Sequence, residues 1–131
     1  MQLANTLHSL AILVLRQARV ADTETGLNPQ RLSVLSVLAF GGSKTIGELA
    51  TIEQVSRPAV SNLVSALEAE GLAFRERLSS DARSVMVLPS TKGLKLLEQA
   101  RVGRLQIVAK RLASLSAKEL DCVDEALKLL G

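Results

Sequence analysis

Aromatic side chains are almost missing from this sequence of 131 residues, which has no tryptophan, no tyrosine and only two phenylalanines, Phe40 and Phe74. Proteins that bind single-stranded nucleic acid stack the bases on aromatic rings, and each stacked base contributes about 1–3 kcal/mol. The shortage of rings therefore excludes an extensive stacking surface, and a nucleic-acid ligand is expected to be duplex. We expect both phenylalanines in the core, with the lining of a pocket as an alternative for Phe40.

Cysteine occurs once, at Cys122, so the chain cannot form an internal disulfide. Such a composition suits a reducing compartment, and we expect a cytoplasmic protein in which Cys122 packs as a small hydrophobic residue. No apolar run reaches the roughly 18 residues that a membrane span needs. The apolar stretch at 10–15 is followed by Arg16 and Arg19 rather than by a small-residue cleavage site, so neither a secretion signal nor a membrane partner is expected.

Residue patterns for catalysis and metal binding are also missing. His8 is the only histidine, and no cysteine or carboxylate accompanies it at the spacing of metal ligands. The sequence has no phosphate-binding glycine loop and no nucleophile motif with a nearby base. We therefore expect no enzymatic activity, no metal and no cofactor. His8 is expected at a helix surface or an interface, with a metal or effector contact as the alternative.

Charge of one sign does not dominate, since 16 basic residues face 13 acidic ones and the net charge is +3. Such a small excess only weakly indicates an anionic partner. Within residues 56–84 the charges cancel, and the four basic and four acidic residues are Arg57, Arg75, Arg77, Arg83, Glu68, Glu70, Glu76 and Asp81. If this segment binds nucleic acid, the placement of its charges must matter more than their sum.

Hydrophobic periodicity and capping residues predict a mainly α-helical chain with one small β-hairpin. A first helix is predicted over residues 3–21, and others begin at Asn28, Thr45, Ser56, Ser90 and Ser116, which are all preferred N-cap residues. After Gly71 the period changes, and strands are predicted at 72–78 and 84–88 with a turn at 79–82. The length and the 47% apolar content suit one domain with an ordinary core.

The helix that begins at Ser56 has the composition of a DNA-reading helix. Its predicted inner stripe is Val60, Leu63, Val64 and Leu67. The opposite side carries Arg57, Ser61, Asn62 and Ser65, at spacings of three and four that bring them together. Asparagine can form two hydrogen bonds with adenine, and serine can contact a phosphate or a base edge. The alternative interpretation is an ordinary surface helix, in which Glu, Lys and Gln are more usual than serine.

The stretch from residue 45 to residue 93 resembles the winged helix-turn-helix of MarR-type transcriptional regulators. The matching segments are IGELA at 46–50, VSNLV at 60–64, LEAEGL at 67–72, DARS at 81–84 and STKG at 90–93. The resemblance implies a single MarR-like domain over residues 1–131. Its DNA-binding part would lie at 28–90, and its dimerisation helices at 1–21 and 91–131.

The resemblance also implies a function, that of a homodimer, usually a repressor, which binds a pseudo-palindromic duplex operator. One recognition helix would enter each major groove and one wing arginine each minor groove, and many members release DNA when a small molecule binds. The candidate DNA-binding residues are Arg57, Ser61, Asn62, Ser65, Arg75, Arg77 and Arg83. Asp81 lies where the family has an acid that braces a wing arginine. Our hypothesis is that Asp81 pairs with one of the two strand arginines and so directs Arg83.

A second class of function is a winged helix that mediates protein–protein contacts and has lost DNA binding. The retained Ser61–Asn62 pair and Arg83 argue against it, because an interaction module has no need of them. A salt-dependent DNA-binding assay separates the two classes.

Replacing Arg83 tests the predicted wing contact. Arg83→Ala should weaken operator binding and lower the dependence of log K on log salt by about one unit per subunit, because one phosphate-neutralising charge is lost. Arginine suits the narrow minor groove of A·T-rich DNA, where negative potential is concentrated. Binding titrations over a range of salt concentrations measure the slope. An unchanged slope would show that Arg83 does not contact the DNA.

Overall fold

Six α-helices and one two-stranded antiparallel sheet form the part of the chain that the computed structural model describes, residues 1–78, 81 and 85–131. The elements in chain order are α1 (Gln2–Thr23), α2 (Pro29–Gly41), α3 (Ile46–Glu53), α4 (Arg57–Ala69), β1 (Ala73–Arg77), β2 (Val85–Pro89), α5 (Thr91–Leu112) and α6 (Ala117–Leu130). This order confirms the prediction of a mainly helical winged fold. Arg83 and most of the predicted turn lie outside the described residues.

Side-chain caps begin five of the six helices, at the residues predicted from the sequence. Asn28 Oδ1 accepts a hydrogen bond from the Arg31 amide at 2.8 Å at the start of α2. Thr45 and Glu48 form a reciprocal capping box on α3, with bonds of 2.9 and 3.1 Å. Caps of the same kind on α4, α5 and α6 are made by Ser56, Ser90 and Ser116. Each cap satisfies an amide that the helix leaves without an internal partner, so helix starts are encoded locally.

The last cap changes the acidity of a carboxyl group. At the start of α6 the Ser116 amide donates to Glu119 Oε2 at 2.7 Å. This backbone hydrogen bond, together with that from the Ser116 side chain, lowers the pKa of Glu119 because both bonds favour its charged form. The capping box of α6 is thus stabilised by an ionised carboxylate at neutral pH.

The core lies between α2, α4 and the sheet. Eight of its larger side chains are fully buried, and these are Val34, Leu35, Leu38, Leu49, Val60, Val64, Leu67 and Val87. They come from α2, α3, α4 and β2, so the core joins the helix pair α3–α4 to the hairpin. The predicted inner stripe of α4 is confirmed at Val60, Val64 and Leu67, whereas Leu63 is only partly buried.

The hairpin is held at its base by the chain before α3. Strands β1 and β2 pair with Arg75 opposite Val87. The Val87 amide donates to the Lys44 carbonyl at 2.7 Å, and the Lys44 amide donates back to the Val87 carbonyl at 3.2 Å. Because this isolated bridge bonds the middle of β2 to the chain that leads into α3, the wing is fixed to the helix pair α3–α4.

The terminal helices contact each other but bury little surface within one chain. Helix α1 packs along α5, where Asp22 pairs with Arg104 and Arg111 Nε donates to Gln17 Oε1 at 2.7 Å. Ala18 and Ala21 are the only buried residues of α1, and α6 has none. Within the part of the chain that is described, no helix is both long enough and apolar enough to cross a membrane.

Three predicted positions are wrong. Phe40 and Phe74 were expected in the core, yet 83% and 44% of their surfaces are exposed. Phe40 lies two residues beyond buried Leu38, on the opposite side of α2, and Phe74 alternates with buried Ala73 on β1. Cys122 was expected to pack as a hydrophobic residue, but it is exposed because α6 buries nothing within this chain.

A glycine at the start of α5 allows this helix to pass close to the chain that leaves α4. A Cβ added to Gly93 would lie 2.2 Å from the Leu72 carbonyl oxygen and 3.1 Å from Leu35 Cδ1. Gly93→Ala should therefore lower the free energy of unfolding by about 3 kcal/mol, since a backbone atom must move. Urea unfolding measures this change.

Gly41→Ala is the matched control. There the nearest atoms belong to the flexible Lys44 side chain, at 3.6 Å. Its effect on stability should stay within about 1 kcal/mol and favour the folded state, because alanine is the better helix former. Equal stability of the Gly93 and Gly41 variants would contradict the close contact at Gly93.

Candidate nucleic-acid interface

A tight turn joins α3 to α4 and sets the two helices against each other. Gln54 ends α3 in the left-handed conformation with φ of 57°, and the Val55 amide donates to the Ala50 carbonyl at 3.1 Å. Ser56 then caps α4 by accepting a hydrogen bond from the Ala59 amide at 3.2 Å. With only three residues between the two helices, this is the geometry of a helix-turn-helix, whose second helix can enter a major groove.

The side of α4 opposite the core carries the residues predicted to read DNA. We call Arg57, Ser61, Asn62 and Ser65 the recognition face. Arg57, Asn62 and Ser65 are exposed, and Ser61 is half-buried. Asn62 lies two residues from both Val60 and Val64, which are fully buried, so it is on the outermost side of the helix. The structure therefore brings all four predicted residues onto one face.

Arg57 lies against the first helix of the pair. A Cβ added to Gly47 would be 3.0 Å from Arg57 Nη2 and 3.3 Å from Arg57 Cζ, so the guanidinium covers this glycine. Gly47 is the second residue of α3, beside the Thr45–Glu48 capping box. The sequence contains Gly47 as part of the IGELA segment, but its contact with Arg57 depends on the angle between the helices.

Arg75 does not extend into solvent from the hairpin, and its guanidinium is bound to α4. Nη1 donates to Glu68 Oε1 at 2.5 Å, and Nη2 donates to the Ser61 carbonyl oxygen at 3.3 Å and to Ser61 Oγ at 3.1 Å. A longer contact of 3.5 Å reaches Ser65 Oγ. The carboxylate that pairs with Arg75 is Glu68. The hypothesis that Asp81 pairs with one of the two strand arginines, Arg75 or Arg77, stays a prediction.

Glu68 was missed as a site residue by the sequence reasoning. It follows Ser61 by seven residues and Ser65 by three, so it shares their side of α4, and this spacing was available as a signal. The neutral charge balance of residues 56–84 was another, because it indicates that acidic and basic side chains of this segment can pair. The partner of Arg75 still required the fold, since β1 and α4 are separated by a turn.

The remaining wing residues lie further from the helix pair. Arg77 is exposed at the end of β1, on the same strand face as Arg75. Asp81 is exposed, and Arg83 falls outside the described residues. Among the residues that the structure describes, no three His, Cys, Asp or Glu side chains come together in a way that could hold a metal ion.

Comparison with known proteins assigns this arrangement to a class. The sequence pattern of the MarR family matches residues 25–84. The chain is 35% identical to the HTH-type transcriptional regulator Mb0904 of Mycobacterium bovis over 123 residues, which cover 93% of this chain and 86% of that relative.

Solved structures agree in fold over nearly the whole chain. The transcriptional regulator Tm0710 of Thermotoga maritima superimposes with a TM-score of 0.88 at 25% identity, covering 98% of this chain and 91% of that chain. A mutant of MepR from S. aureus, bound to an oligodeoxyribonucleotide, has a TM-score of 0.81 at 20% identity, covering 99% and 96%. At that identity the likeness concerns the fold alone.

The fold and the sequence relationship together define a winged helix-turn-helix transcriptional regulator. Within that class, the chain belongs to the MarR family.

Proposed function

We propose that this chain acts as a homodimer that binds a pseudo-palindromic duplex operator, one α4 in each major groove, and represses transcription by occupying that site. The observation that carries the proposal is the recognition face, an exposed set of hydrogen-bonding side chains on the second helix of a helix-turn-helix. Asn62 supplies an amide for a base edge, and Arg57 a positive charge beside the N-terminus of α4, where phosphate is favoured. The wing arginines Arg77 and Arg83 would contact the backbone or the minor groove.

Dimerisation is supported by apolar surface on the terminal helices. Large aliphatic side chains are exposed along both α1 and α6, namely Leu3, Leu7, Leu10, Ile12, Leu13, Leu15, Leu120, Leu127, Leu129 and Leu130. Exposed apolar surface on this scale is typical of an interaction surface. A second copy of the chain is the simplest partner, because a two-fold arrangement of α1 and α6 covers the same patch on both copies.

The mass in solution tests the dimer. Light scattering should give roughly 28 kDa, twice the chain mass of 14.0 kDa, at micromolar concentration. Leu127→Glu places a charge in the apolar surface of α6 and should shift the population toward 14.0 kDa, whereas the control Lys118→Glu on the same helix should not. A parent protein of single-chain mass would contradict the proposed assembly.

A small-molecule effector is part of the proposal, and a cavity supports it. The cavity has a volume of about 550 Å³ and lies between α1, α5 and the start of α2. Its lining includes Arg19, Asp22, Leu27, Leu32 and Arg104. A ligand there would contact both the terminal helices and the DNA-binding part, and could favour one angle between them. Two arginines against one aspartate suit a ligand with a negative charge and an apolar body.

A winged helix that binds only protein is the competing function. It predicts no preference among duplex sequences, whereas the proposed function predicts a two-fold symmetric site with half-site centres roughly 10 base pairs apart. Selection of bound sites from random duplex DNA distinguishes the two, and a selected pool without a shared sequence would exclude the proposed function.

The contact of Asn62 with a base is tested on the selected site. Asn62→Ala should cost about 1–3 kcal/mol of binding free energy there and relax the preference at one position in each half-site. Binding to unrelated duplex should barely change, because base contacts contribute little to it. Asn62 is exposed on the side of α4 away from the core, so the fold should be unaffected. An equal loss on every sequence would instead place Asn62 on a phosphate.

A further inference from the structure

We propose that Arg75 and Glu68 are positioning residues for DNA reading, because their ion pair holds the Ser61 hydroxyl as a hydrogen-bond donor toward the DNA and ties the wing to α4. The inference rests on the proposed function, since it concerns how the same face selects its sequence. It also assigns Arg75 a different task from the one expected at first, which was direct contact with DNA.

The hydrogen bonding of Ser61 leaves its proton available. A serine hydroxyl has one proton to donate and two lone pairs that accept. Arg75 Nη2 donates to Ser61 Oγ at 3.1 Å, and so fills one acceptor position. Among the described residues, no acceptor receives the Ser61 proton. The half-buried side chain lies on the recognition face, where this proton can be donated to an acceptor outside the protein.

Two hydroxyls in other helices, those of Ser36 and Thr51, use their protons within the helix. Ser36 Oγ donates to the Leu32 carbonyl at 2.8 Å, and Thr51 Oγ1 donates to the Gly47 carbonyl at 3.1 Å. Both follow the usual bond to the carbonyl four residues earlier, which uses the proton within the helix. In the described part of the chain, Ser61 makes no such bond to the Arg57 carbonyl, and Arg75 donates to its oxygen from the strand. The guanidinium occupies an acceptor position of the hydroxyl and leaves its proton to donate.

A serine held as a donor selects among base pairs. In the major groove, guanine presents N7 and O6 and thymine presents O4 as acceptors, whereas the N4 amino group of cytosine is a donor. We therefore expect each half-site to have one position that prefers an acceptor, contacted by Ser61. A phosphate oxygen is an acceptor too, but contact with it would show no sequence preference.

The charges of the pair cancel at the DNA face. The side chains of Arg75 and Glu68 are 30% and 32% exposed, and a pair of this kind adds little to stability. Bound to Glu68, Arg75 offers no free charge to a phosphate. Arg75 must then act by orienting Ser61 and the wing, because both nitrogens at the end of its guanidinium contact α4.

The same guanidinium fixes the direction of the wing. Arg75 lies in the middle of β1, opposite Val87, whose backbone is bonded to Lys44. Its side chain reaches Glu68 and Ser61 on α4. Arg77 follows two residues later on the same face of the strand, so its direction depends on this anchor. The recognition helix and the base of the wing are thereby held in one orientation relative to each other.

Charge-removing variants separate positioning from direct contact. Glu68→Gln and Arg75→Gln should each weaken binding to the selected operator by about tenfold and leave binding to unrelated duplex within about twofold. The salt slope of Arg75→Gln should equal that of the parent. Arg75→Lys keeps the charge but loses the planar fork, so it should bind the operator as weakly as Arg75→Gln. Unfolding midpoints verify that each variant is folded.

Two controls complete the experiment. Glu70→Gln removes the same charge two residues further along and should not weaken operator binding, because the pairing of Arg75 with Glu68 remains. In a protein that already carries Ser61→Ala, Arg75→Gln should reduce operator affinity by less than about threefold. The preference for an acceptor at one position of each half-site should already be lost in Ser61→Ala alone.

Several results would overturn the inference. Arg75 would be a phosphate contact if Glu68→Gln bound all DNA more tightly than the unmodified protein and Arg75→Gln lowered the salt slope by about one unit per subunit. Full additivity with Ser61→Ala would show that Arg75 does not act through Ser61. If the unmodified protein selects no duplex sequence, the proposed function itself is contradicted. If it does select a sequence but the Arg75 and Glu68 variants give either of the two results above, only the proposed role of Arg75 is contradicted.

Discussion

Burial of the inner stripe of α4 is the constraint on which the rest of this molecule depends. Val60, Val64 and Leu67 are fully buried against α2 and the sheet, so the helix cannot rotate without exposing them. Exposing each of these side chains costs about 1.5–3 kcal/mol. Since the helix has a period of 3.6 residues, fixing the inner stripe also fixes Asn62 and Ser65 on the outside. The recognition face is a consequence of core packing.

The wing is positioned by contacts with this fixed helix. Its base is bonded to Lys44 before α3, and the side chain of Arg75 binds α4. At the open end of the hairpin, Ser90 Oγ donates to the Gly71 carbonyl at 2.5 Å and caps the start of α5. The same few residues thus join the recognition helix, the wing and the long helix α5. A change of angle at α5 would therefore move the recognition face, as control by the proposed effector requires.

Much of the fold could be predicted because it is encoded locally. A cap such as Asn28 or Thr45 needs only residues within one helical turn, and the alternation of buried and exposed residues along α4 needs only the helical period. Phe40 and Phe74 show where such reasoning fails. Aromatic residues are usually expected in a core because of their hydrophobicity. Phe40 nevertheless lies on the side of α2 opposite buried Leu38, and Phe74 on the face of β1 opposite buried Ala73. Here the periodicity of the element was the better guide than the type of residue.

The sequence by itself determined the order of the elements, their caps and the four residues of the recognition face, because these follow from contacts over a few residues. The resemblance to MarR-type regulators was also carried by contiguous segments. Only the tertiary structure decided that Arg75 binds Glu68 and Ser61, that Arg57 covers Gly47 and that α6 remains uncovered within one chain. Each of these depends on the distance between elements that are separated by turns. The physical reason is that turn geometry and core packing together set that distance, and neither is expressed by a local pattern.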